Sequence, residues 1–287
     1  MNRVLIIGAT GTVGRQVVSQ LMTRNVTIRA MSRNPEAARL PQQVEVLPGD
    51  LCSPETLDHC LTDVDTVFLV WSVPPSAVLP ALDRIVRHAR RVVFLSAPLK
   101  TDHPLFQQPN PRRDMFERIE HLIESAGIEW TFLRPGMFAK NALGWWASQI
   151  RSSDIVRWPF ADLPTAPIHE SDVAAVAVHA LCENGHAGAE YVLTGREQLT
   201  HAEQVSTIGR AIGRPLRLEE VPPDEWRRIC IPNWPAQAAT MLLDAWTAAA
   251  GQPAFVTSTV EEITGRRART FLQWSMDHAD EFRGSSI

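Results

Sequence analysis

The 287-residue chain has a single tyrosine, Tyr191, beside nine tryptophans. Lysine is almost as scarce: Lys100 and Lys140 are the only two, so arginine supplies 26 of the 28 basic residues. Any chemistry that needs a tyrosine acid must therefore use Tyr191. The four cysteines, Cys52, Cys60, Cys182 and Cys230, form no CxxC pair and match no zinc spacing, so they read as ordinary reduced thiols. No run of like charge is present and the net charge is −4, which excludes a nucleic-acid footprint. No apolar stretch reaches about 18 residues, so no membrane span is expected. Met1 runs directly into Val4-Leu5-Ile6-Ile7 without a charged leader, and a cytoplasmic protein is the expectation. Hydrophobic residues at 45% against 21% charged suit a globular chain with a sizeable core.

The first half alternates short apolar runs with helical spacing. Strands are predicted over 3–7, 26–31, 44–47, 64–70, 92–95 and 130–133. Helices are predicted over 12–24, 76–90 and 112–125, with Gly127 ending the last. Ser53 before Pro54 reads as a short helix start. Strand–helix repetition with near-continuous apolar strands specifies an α/β fold with a doubly wound parallel Rossmann sheet. After Pro135 the rhythm changes. Residues 136–168 read as irregular, Ser171 as the cap of a helix, 190–193 as a strand, and Thr200–Glu203 as a capping box. A short strand over 216–218 precedes mostly helical sequence. The expected organisation is a dinucleotide-binding lobe over 1–135, completed by parts of 168–195. A smaller, mostly helical, interrupted C-terminal substrate lobe covers 136–287.

The sharpest motif is Gly8-Ala9-Thr10-Gly11-Thr12-Val13-Gly14, placed between a predicted strand and a predicted helix. Gly8 permits the tight turn, Gly11 lets amides approach a pyrophosphate, and Gly14 permits close helix packing. The second strand ends at Ser32-Arg33 with no carboxylate for a ribose 2′-hydroxyl. Arg33, with Ser32, is placed to hold a 2′-phosphate instead, so NADP is the expected cofactor. Asp50 and Leu51, Val70 and Trp71, and Ser96 follow the next three strands, where the ligand crevice of such sheets lies.

These stretches, together with Thr131-Phe132-Leu133-Arg134-Pro135-Gly136-Met137-Phe138, Ser171-Asp172-Val173 and Tyr191-Val192-Leu193-Thr194-Gly195, resemble the NmrA-like, atypical branch of the short-chain dehydrogenases/reductases. The resemblance spans roughly the first 210 residues. It implies NADPH in the crevice, Pro135 to Phe138 beside the nicotinamide, and Phe138, Asn141 and the segment around His169 lining a substrate pocket. Many members of the superfamily carry a tyrosine acid and a lysine on the helix after the fifth strand. That helix here reads Arg112-Arg113-Asp114-Met115-Phe116-Glu117-Arg118-Ile119-Glu120 and has neither. Phe116 stands where related reductases keep a basic residue, and Tyr191 falls in a strand expected far from the crevice.

A proton for carbonyl reduction would then come from Ser96, His169, water or the substrate itself. Trp145, Trp146, Trp158 and Trp226, with Trp234, are candidate walls of a flat apolar pocket for a polycyclic aromatic carbonyl compound. Lys100 and His103, on the loop after the fifth strand, read as solvated. A narrower resemblance is to actinobacterial ketoreductases of aromatic polyketide (angucyclinone) pathways that lack the tyrosine–lysine pair. Two functions from different classes are compatible with these features. One is an NADPH-dependent ketone or quinone reductase; the other is a non-catalytic NADP(H)-sensing regulator of the NmrA type. A monomer or weak homo-oligomer is expected.

Overall fold

The computed structural model describes residues 2–230 and 236–283. Seven strands form one parallel sheet: β1 (Arg3–Ile7), β2 (Thr27–Ser32), β3 (Glu45–Pro48), β4 (Thr66–Val70), β5 (Arg91–Leu95), β6 (Glu129–Pro135) and β9 (Ala189–Leu193), in the order β3-β2-β1-β4-β5-β6-β9. The strand order reverses at β1, so the crevice between β1 and β4 opens at their C-terminal ends. Successive side chains alternate between two apolar layers. Val4 and Ile6 enter one layer with Phe68, Val93 and Leu133, while Leu5 and Ile7 enter the other with Val67, Val92 and Phe132. Burial on both faces is what the continuous apolar runs demanded.

Helices α1 (Thr12–Leu21) and α7 (Glu170–Cys182) cover the first face. Helices α2 (Leu57–Leu61), α3 (Val78–His88) and α5 (Pro111–Ser125) cover the second, with the single turn of α4 (Pro104–Gln107) preceding α5. Pro54 opens a 3₁₀ turn after Ser53, whose side chain makes no capping bond.

A third apolar core lies beyond the sheet. It gathers Trp146, Trp158, Trp226, Trp246 and Trp274 from α6 (Asn141–Ser152), β7 (Ile155–Trp158), α9 (Pro223–Cys230), α10 (Ala236–Ala249) and α12 (Phe271–Asp277). The region expected to be irregular thus contains a three-turn helix and a strand. Its prolines cluster outside α6, where they break nothing. The strand Arg217–Glu220 (β11) pairs in parallel with β7. The short strands β8 (Pro164–Thr165) and β10 (Leu199–Thr200) pair antiparallel and lead into α8 (His201–Ile212), which starts with the capping box read from the sequence. Helix α7 begins two residues earlier than expected, with His169 rather than Ser171 as its cap. The short helices α11 (Thr259–Thr264) and α13 (Ala279–Arg283) complete the described chain. Trp234 lies outside the described residues. No helix among them is long and apolar enough to cross a membrane.

Candidate active site

Two concavities open at the C-terminal ends of the strands. The first is a crevice of about 310 Å³ lined by Gly8, Thr10, Ser32, Arg33, Asp50, Leu51 and Val70, among others. All seven are expected from the sequence, and they come together. The glycine geometry explains the crevice. Gly8 has φ +91°, and a Cβ there would lie 2.8 Å from the Val70 Cβ. A Cβ at Gly14 would lie 2.1 Å from the Gly8 carbonyl oxygen, so α1 can pack against the loop only with glycine at this position. The Gly11 amide donates to the Gly8 carbonyl at 3.0 Å and closes the turn. Helix α1 has no acidic residue in its first turn and no side-chain cap, which leaves the amides of Thr12, Val13 and Gly14 for an anion. The Val13 side chain itself packs into the sheet core.

Arg15 braces this edge, its guanidinium donating to the carbonyls of Thr10, Ala38 and Arg39. Ser32 accepts the Asn34 amide, and Asp50 accepts the Cys52 amide at 3.0 Å. The exposed Arg33 guanidinium has no partner among the described residues, so it is available to a 2′-phosphate. Trp71 departs from the expectation. It is 2% exposed, packs under the sheet and donates its indole N–H to Val73, so Val70 alone of that pair borders the crevice.

The second concavity, of about 750 Å³, sits over the ends of β5 and β6. Ser96, Pro135, Phe138, Asn141 and Trp145 line it, as proposed from sequence. The Ser96 amide donates to Leu133, while its hydroxyl is buried and unpartnered among the described residues. Gly136 to Ala139 are pinned against Ile168 and Leu193 by backbone bonds, which sets Phe138 at the cavity wall. Arg134 anchors the base of this segment in a buried network with Glu120 and Glu190. Burial opposes its charge, but the two carboxylates more than offset that and hold its pKa above the usual value.

The tryptophan wall differs from expectation. Trp146, Trp158 and Trp226 are at most 1% exposed and pack edge-to-face in the third core instead of lining the cavity. The three rings need burial more than the ligand needs them, since each removes a large apolar area from water. Trp145 and Trp246 form the aromatic wall. Trp246 and its neighbours Met241, Leu242 and Ala245 were missed. Their spacing on one face of α10 was the available signal, hidden among the apolar residues that surround it. Arg112 and Arg113, at the start of α5, also line the cavity, on a helix whose sequence is marked otherwise only by its lack of a tyrosine and a lysine.

His169 is not at the cavity. Its Nδ1 accepts the Ser171 amide and its Nε2 faces Asp277 at 3.2 Å, so it is a helix cap rather than a proton donor. Tyr191 is committed to His186 on β9 at the sheet edge. Lys100 pairs with Glu190, and His103 is buried, with its Nε2 against the Pro253 carbonyl at 2.9 Å. Among the described residues, no tyrosine, lysine, histidine, cysteine or carboxylate lines the cavity.

The fold and the paired concavities define an oxidoreductase of the atypical short-chain dehydrogenase/reductase class, built on a nicotinamide-dinucleotide fold. The chain belongs to the NmrA-like family, which it matches over residues 1–261. It is 38% identical to the (4-alkanoyl-5-oxo-2,5-dihydrofuran-3-yl)methyl phosphate reductase of Streptomyces griseus, over 97% of this chain and 99% of that one. It is 30% identical to the NAD(P)H azoreductase of Xenophilus azovorans, again over 97% and 99%. In structure it is similar to an NADPH-dependent quinone oxidoreductase of Escherichia coli, with a TM-score of 0.80 at 21% identity, covering 96% of this chain and 100% of that one.

Proposed function

We propose that the protein is an NADPH-dependent reductase of electron-poor, conjugated acceptors such as quinones and polycyclic aromatic carbonyl compounds. The observation that carries this reading is the cavity wall. Among the described residues it offers one buried, unpartnered hydroxyl, Ser96, and no side chain with a pKa suited to donating a proton near neutrality.

The residues of the first crevice fit the cofactor. The amides of α1 would hold the pyrophosphate, Arg33 the 2′-phosphate and Asp50 the adenine side. Bound NADPH supplies a hydride. Ser96, Pro135 and Phe138 lie at the strand ends where the nicotinamide of such folds sits. The Ser96 hydroxyl is placed to donate a hydrogen bond to an acceptor oxygen, and that donor gains strength where charge develops on the oxygen. A serine cannot give up its proton cheaply. A suitable acceptor therefore spreads the developing charge over its own conjugated system and takes its proton from water afterwards. The dihydrofuranone that names the Streptomyces relative carries two carbonyl groups on one conjugated ring system, which belongs to this electronic class. Trp145 and Trp246 supply an aromatic wall for a planar body.

The test is NADPH absorbance decay with menadione, a polycyclic aromatic ketone and cyclohexanone. Turnover is expected with the first two and none with the third. Equal turnover of cyclohexanone, or none with any acceptor, overturns the reading.

A further inference from the structure

We propose that the acceptor cavity contains an anion subsite formed by Arg112 and Arg113, and that the acceptor carries a phosphate monoester. This rests on the reductase reading and adds the chemical class of its substrate. Among the described residues, Arg112 and Arg113 are the charged residues of the cavity lining, and no carboxylate lines it.

The two guanidinium groups are held differently. Arg113 is tied back: its Nε donates to Glu117 at 3.1 Å and an Nη to the Phe106 carbonyl at 3.4 Å. Arg112 makes no guanidinium hydrogen bond or ion pair among the described residues. Its guanidinium carbon lies 5.8 Å from the ring centre of Phe116, another lining residue. Contact with a ring face leaves the N–H edge of a guanidinium open to a ligand. Phe116, read from sequence as a missing basic residue, is thus the platform for one. Both arginines stand in the first turn of a 15-residue helix, whose positive end adds to their field. Asn110 caps that turn by accepting the Arg112 amide at 2.8 Å and also lines the cavity.

The Ser96 hydroxyl is the independent sign of a ligand here. Ser96 is 6% exposed, its hydroxyl lacks a partner among the described residues, and it lines the same cavity. Leaving a buried hydroxyl unpaired is costly unless a ligand completes it. One molecule satisfies both requirements if it has a carbonyl oxygen for Ser96, an apolar body along Trp145, Leu242 and Trp246, and an anionic head for the arginines. A phosphate monoester suits this head, because the open Arg112 guanidinium matches its oxygen fork while Arg113, braced by Glu117, stands beside it. A cavity of about 750 Å³ accommodates such a ligand.

The experiment is calorimetry on the protein saturated with NADP⁺. The probes are the (4-alkanoyl-5-oxo-2,5-dihydrofuran-3-yl)methyl phosphate and its dephosphorylated alcohol. The wild type is expected to prefer the ester by about tenfold or more, as one or two charge-assisted hydrogen bonds provide. Arg112→Ala should bring that preference close to parity, and Arg112→Lys should restore part of it. Equal affinity for ester and alcohol in the wild type, or an unchanged preference in Arg112→Ala, overturns the subsite. The menadione assay is a separate readout, since menadione has no phosphate. Its failure sinks the reductase reading, while the calorimetric preference still decides the subsite.

Discussion

The two concavities differ in what builds them. The crevice proposed for the dinucleotide is made by backbone: a glycine turn, the free amides of α1 and the ends of parallel strands. The cavity proposed for the acceptor is made by side chains drawn from the loop after β5, the start of α5, the segment after β6, α6 and α10. Backbone sites tolerate almost no change where atoms touch. Side-chain sites can exchange one ring or head group for another, so that the acceptor can change while the cofactor site stays constant.

The largest expected effect falls on the backbone site. Gly14→Val places a side chain against the Gly8 carbonyl, where even a Cβ would sit at 2.1 Å. Isothermal titration should show no measurable NADPH binding, and retained affinity would mean the loop is not the cofactor cradle. Next is the third core. Trp246 is fully buried, and Trp246→Ala should cost about 3–5 kcal/mol in denaturant unfolding, as large-to-small core changes do. A cost below about 1 kcal/mol would show that this core collapses without strain.

A smaller effect is expected at Arg33. Arg33→Ala should reduce the preference for NADPH over NADH by about tenfold or more, measured as a ratio of kcat/KM values. An unchanged ratio would remove Arg33 from the 2′-phosphate. The smallest effect concerns pH. His201 is caged by Trp145, Trp146 and Trp246, and burial pushes its pKa down to about 4, against the opposing pull of the Pro159 and Phe160 backbone. The unfolded chain binds this proton more readily, so stability falls as pH drops from about 6.5 towards 4. His278 shifts the other way: its bond to Glu170 raises its pKa despite burial, so its stabilisation is complete below about 6.5 and is lost as pH rises above that. Melting temperature should therefore fall on acidification below pH 6.5, and His201→Leu should flatten that fall. An equally steep fall in the variant would assign it to other groups, such as His186, which burial also holds below its usual value.

The strands of the sheet were legible because a strand buried on both faces writes itself as a continuous apolar run, as in Val4-Leu5-Ile6-Ile7. The meeting of the seven crevice residues named above was legible because each ends or follows a strand or sits in the glycine turn. Trp71 was misplaced because neighbours in a strand point to opposite faces, and its neighbour Val70 took the crevice side. His169 was misjudged because a helix cap and a pocket residue share the same position in the chain. Helix α6 was missed because its two adjacent tryptophans and its glycine blur the helical period.

Local chemistry determined the parallel sheet, the glycine cradle, the exposed Arg33 and the absence of a tyrosine–lysine pair. Each depends on residues close together in sequence, where steric rules and periodicity act directly. Tertiary structure alone decided which tryptophans line the cavity, that the Ser96 hydroxyl is left without a partner among the described residues, and that Arg112 and Arg113 share a cavity with it. Those outcomes depend on five separated segments packing at one place, and side-chain volume and orientation across such distances are not written in any local pattern.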